Sequence, residues 1–199
     1  MRPESWWQEL ENSYLSHVLS FLRARDPNAR TLRTFLDSWF AYHSRDEGLI
    51  DTAGAHRWLN VGDLNPADCH AKLGSVHAIS ESAERLLRRG KDGDPEVLSA
   101  WERDKKAHGL AKDHVFPLRQ LCSELRSGSF AGKSELRVFL IKHYRVAIIT
   151  QAEHKSLSGR ARHSMPDGWN NIFQRYNDAD IAFRIGGWRK NSGDAVPGI

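Results

Sequence analysis

The sequence predicts a mainly α fold, a helical bundle, with a small β element in its C-terminal half. Three observations predict it. Apolar residues recur at three- and four-residue spacing through most of the first half. Asp/Asn-Pro pairs open successive helical segments. The single convincing β-prone run, Val146-Ala147-Ile148-Ile149, falls late in the 199-residue chain.

The elements follow in order. Trp7, Leu10, Tyr14, Val18 and Phe21 form one stripe, widened by Leu15 and Leu22, and predict an amphipathic helix near residues 4–25. Asp26-Pro27 supplies an N-cap and a first-turn proline whose missing N–H costs nothing. The helix it opens should bury Leu32, Phe35, Leu36, Trp39 and Phe40. Asn65-Pro66 repeats the device, and one helix is expected through Leu73, Val76, Ala83 and Leu86 to Arg89, ending at Gly90. Asp94-Pro95 opens the next, past Trp101. Lys91-Asp92-Gly93 is the linker candidate, so residues 1–90 read as a helical subdomain and 91–199 as a basic α+β subdomain, packed as one domain.

In the second half, Asp113 to Pro117 is short, β-prone and stopped by proline. Leu118, Leu121 and Leu125 fit a short helix ending near Gly128, and Leu136, Phe139, Leu140 and Tyr144 fit another. Arg145 to Thr150 is the strand. Thr150-x-x-Glu153 has capping-box spacing, so a helix should start at Gln151 and run to about Ser158, with Glu153 as a capping acid. A turn at Met165 to Gly168, a short helix around Ile172 and Tyr176, and an edge strand over Ile181 to Ile185 complete the reading.

Charge is distributed unevenly. Residues 1–100 carry 12 Lys/Arg against 15 Asp/Glu, a balance of −3, and residues 101–199 carry 17 against 10, a balance of +7. A basic half favours a polyanionic partner, and nucleic acid, DNA or RNA, is the commonest. Only Cys69 and Cys122 are present, with no Cys-x-x-Cys pair, which argues against a disulfide framework or a thiolate zinc site. No run is apolar enough to span a membrane, and a cytoplasmic location is expected. The phosphate-binding Gly-x-x-x-x-Gly-Lys-Ser/Thr loop, the Gly-x-Gly-x-x-Gly turn, the Gly-x-Ser-x-Gly elbow and His-Glu-x-x-His are all missing. Nucleotide-cofactor enzymes, α/β-hydrolases and zincins are thereby disfavoured.

Asp113-His114-Val115-Phe116-Pro117-Leu118, the strand at Val146 to Ile149 and the helix carrying Glu153-His154-Lys155 together resemble the ββα-metal unit of HNH nucleases, here with a helical insertion. That resemblance implies a divalent metal (Mg or Mn) held by Asp113 and His154, with His114 as general base. Lys155, Arg160, Arg162, His163 and Arg145 would contact phosphates. A carboxylate and an imidazole suit such a cation, which would neutralise the scissile phosphate, while a second imidazole takes a proton from water. The chain lacks the family's orienting Asn between the strands and its Cys-x-x-Cys knuckles. Asp113 to Ile181 also looks like a group of uncharacterised bacterial proteins that share the acid-His-Val-x-Pro start, Met165-Pro166 and Arg175-Tyr176.

Three functions remain open on the sequence. One is a metal-dependent endonuclease, in defence or a mobile element. Another is a non-catalytic helical module that binds nucleic acid or a protein partner. The third is a regulator, such as a toxin–antitoxin component or an inhibitor, that meets an acidic protein. The nuclease requires Asp113, His114 and His154 to converge.

Overall fold

The structure is a computed structural model and describes residues 6–25, 28–46, 78–103, 109–157, 159 and 163–183. The described chain is mostly helical around one small mixed sheet. Its elements are α1 (Trp6–Arg23), α2 (Ala29–Asp46), β1 (Ala78–Ile79), α3 (Glu81–Lys91), α4 (Pro95–Arg103) and β2 (Leu110–His114), then α5 (Leu118–Ser127), α6 (Lys133–His143), β3 (Val146–Thr150), α7 (Gln151–Ser156) and α8 (Gln174–Asn177). No helix among the described residues is long and apolar enough to cross a membrane.

The sheet order is β1-β3-β2, with β1 parallel and β2 antiparallel to β3. The register sets Asp113 against Ala147 and His114 against Val146. Because side chains alternate across a strand, the two faces of the sheet enter different cores. Ala147, Ile149, Ala111 and Val115 pack with Ala78, Leu157, Tyr176 and Ile181. On the other face, Ile148 and Leu110 meet Ala83 and Leu87 of α3. Val146 joins the largest cluster, which includes Leu15 and Val18 of α1, Leu36 and Trp39 of α2, Leu121 and Leu125 of α5, and Leu136 and Leu140 of α6. That cluster draws on residues from both sides of the linker candidate at residues 91–93.

Most elements match the sequence reading, apart from the start of α2, where Asn28 and not Asp26 caps the helix by accepting from Arg30 N and Thr31 N at 3.1 Å, and three larger differences. The helix expected to run through Val76 and Ala83 is broken within its described part: Ala78–Ile79 is a strand, and α3 starts afresh at Ser80. The Ser80 side chain caps it by accepting from Ala83 N at 3.1 Å, and Glu81 and Glu84 occupy the first turn, where negative charge suits the dipole. The Asn65-Pro66 start lies outside the described residues. Secondly, β2 begins three residues earlier than expected and is over by Val115, because Pro117 has no N–H for a ladder. Thirdly, the edge strand after Ile181 is reduced, as far as the described residues go, to a single bridge between Phe183 and Ser80.

Candidate functional site

Asp113 and His114 are consecutive in β2, so their side chains leave opposite faces of the sheet. Each has its own buried surroundings. Arg175, fully buried on α8, forms an ion pair with Asp113 and donates from Nε to the Val115 carbonyl at 3.0 Å; it also donates to the carbonyl of His114. Tyr176 donates its hydroxyl to Asp113 at 2.7 Å. One guanidinium thus satisfies both the carboxylate and the carbonyls left over where β2 stops.

On the other face, His114 Nε2 lies 3.2 Å from the Tyr144 hydroxyl, which donates its proton to Asp37 of α2. With that proton committed, Nε2 of His114 is the donor to the phenol oxygen, which assigns its tautomer. Burial lowers the His114 pKa against the pull of Asp37, with Lys112 adding to the fall. Burial would raise the Asp37 carboxyl, yet the nearby His114 imidazole, the Tyr144 hydrogen bond and the Lys112 charge bring it below its ordinary value. Tyr144 itself is pushed well up by burial and by Asp37. The imidazole here is a neutral, buried hydrogen-bonding group that completes a network.

The third nominated side chain, His154, is half-buried on α7. Its neighbour Glu153 is held in a full capping box with Thr150 and also accepts from Ser80 Oγ at 2.7 Å, so this acid joins the starts of α3 and α7. Among the described residues no group of three or more His, Cys, Asp or Glu side chains could hold a metal ion. Asp113, His114 and His154 form no such group among the described residues. The physical reasons are strand alternation, which separates Asp113 from His114, and the Arg175 charge already on the Asp113 carboxylate. Of the expected phosphate contacts, Lys155 and His163 are exposed and Arg145 is half-buried, while Arg160 and Arg162 lie outside the described residues.

What the structure brings together instead is a cluster of cations beside the Asp37 network. Lys112 shares the His114 face of β2, two residues away, and is half-buried. Burial lowers its pKa; Asp37 opposes that fall, and Arg33 of α2 deepens it. Arg33 is exposed and stands 3.7 Å from Asp37. Across the α2–α5 packing, Arg33 and Arg126 both act on the buried Cys122 thiol, though burial dominates and raises its pKa. Arg119, Cys122 and Arg126 lie along one stripe of α5 by helical spacing. Sequence reasoning missed Lys112, Arg33, Arg119 and Arg126. The one signal available was the i, i+2 spacing of Lys112 and His114 in a β-prone run.

No protein-family model matches the chain, and no curated protein or solved structure matches it.

Proposed function

We propose that this protein is a non-catalytic binder of nucleic acid, gripping the phosphate backbone with the cations gathered around Asp37. The observation that carries the reading is that Arg33 and Lys112, from two different elements, flank the Asp37 carboxylate, while Arg126 shares with Arg33 the surroundings of Cys122. Burial lowers the Lys112 pKa, and repulsion from Arg33 adds a smaller fall against the pull of Asp37. A polyanion laid on this surface relieves the repulsion and releases its own counterions. Exposed acids of the same half, Glu135, Asp167, Asp178 and Asp180, offset part of its exposed positive charge. Asp113 and Glu153 are tied into internal bonds, and Glu135 accepts from Ala131 N at 2.8 Å, whereas Arg119, Arg126, Lys133, Lys142 and Lys155 are exposed.

The test is fluorescence anisotropy with a labelled DNA duplex and a labelled single-stranded RNA over a range of salt. Log affinity should fall linearly with log salt, by about 0.9 per phosphate contacted on the duplex. Arg126→Ala should reduce that slope by about 1 and weaken all sequences alike. A response that ignores salt, or no binding at low salt, overturns the proposal and leaves an acidic protein as the partner of this face.

A further inference from the structure

Lys112 stands mid-way along β2, opposite Ile148 in the register with β3, so its stem shares a sheet face with Leu110, Ile148 and His114. Leu110, Ile148 and His114 are all buried, and Lys112 is half-buried among them, whereas Lys133, Lys142 and Lys155 are exposed. Taking an ammonium out of water costs free energy unless a partner compensates. Among the described residues Lys112 makes no hydrogen bond and no ion pair. Asp37 attracts it through space, but that carboxylate already accepts the Tyr144 hydroxyl and stands 3.7 Å from Arg33.

Two features therefore favour the neutral amine at Lys112. Burial is the larger, and the positive charge of Arg33 adds to it against the pull of Asp37. A lysine that is desolvated and set beside another cation is an activated nucleophile. Arg33 has a second use. Its side chain is exposed, and a guanidinium offers a planar fork of donors that takes phosphate in a bidentate grip. An electrophile that carries phosphate would be led to the amine by the same neighbour that activates it. A carbonyl carbon bonded to phosphate is such an electrophile.

We infer that Lys112 is a site of acylation by acyl phosphates, with Arg33 receiving the phosphate while the amine attacks the carbonyl carbon. The N–C bond forms as the C–O bond to phosphate breaks. Phosphate leaves with the electron pair and takes up the proton that the nitrogen gives up, so the products are an amide and inorganic phosphate. The amide carries no charge, and one cation is lost from this face. The reaction asks only that Arg33 and Lys112 act together, whether or not nucleic acid is what the wider surface grips.

The full chain, without nucleic acid, is incubated with acetyl phosphate, and acetylation at each lysine is followed over time by peptide mass spectrometry. Lys112 should be acetylated several-fold faster than Lys133, Lys142 or Lys155. Arg33→Ala, at an exposed position, should remove that lead with acetyl phosphate and reduce it less with acetic anhydride, which carries no phosphate. Three results overturn the inference: a Lys112 rate no higher than those of the exposed lysines, a lead untouched by Arg33→Ala in a variant with wild-type thermal melting, or an equal fall with the two reagents. Selective labelling without duplex binding keeps this site and removes the nucleic-acid reading; duplex binding without selective labelling does the reverse.

Discussion

His143 is a buried imidazole in an aromatic box, with ring centroids of Phe139 at 4.5 Å, Phe116 at 5.1 Å and Trp169 at 6.3 Å, and its Nδ1 is buried with no hydrogen-bond partner among the described residues. Burial, with Lys142 and Arg145 adding, lowers its pKa to about 4. The unfolded chain therefore binds the extra proton first, below about pH 6.5. Stability should be full above that pH, decline as pH falls toward 4 and be insensitive to this group below, a loss on the order of 3 kcal/mol. His114 acts in the same direction. Urea unfolding across this range should show a shallower pH slope for His143→Phe than for the wild type; identical slopes would remove His143 from the account. At the same scale, Asp113 and His114 show why the site was only partly legible. Their identities fit a metal ligand and a base, but nothing in a dipeptide announces Arg175, 62 positions away, as the charge that claims the carboxylate.

Elements bounded by local chemistry were the readable ones. The α7 start was legible because Thr150 and Glu153 encode the cap by themselves, and α1 and α2 because their stripes repeat over several turns. Thr150→Val should remove the acceptor for Glu153 N, 3.1 Å away, and cost about 1 kcal/mol. Thermal unfolding should then fall by roughly 2–4 °C for a chain of this size; an unchanged midpoint would mean that the cap is replaced by water. β1 was missed because two residues are too few to display alternation, and its place is set by pairing with Ala147 and Ile148, far along the chain. The signal that could have found it was Ser80 with Glu81 and Glu84 behind it, a fresh helix start inside a run that already looked helical.

For the whole molecule, the mainly α fold with a small β element was legible because apolar period and proline placement act over the full length. The basic second half was also legible, as a sum. Where its cations meet was not, since Arg33 comes from the acidic half and reaches the cluster only through helix packing. The sheet order has a consequence for how the chain matures. Among the described residues β1 and β2 do not pair with each other; each pairs with β3, the last of the three to be made. During synthesis, residues 78–79 and 110–114 leave the ribosome as edges waiting for a centre. A chain stopped after Arg145 should hold helices without a cooperative melt and be cut readily by protease between β1 and β2. Adding the last stretch as a separate peptide that contains residues 146–183 should restore resistance if assembly waits on that strand alone.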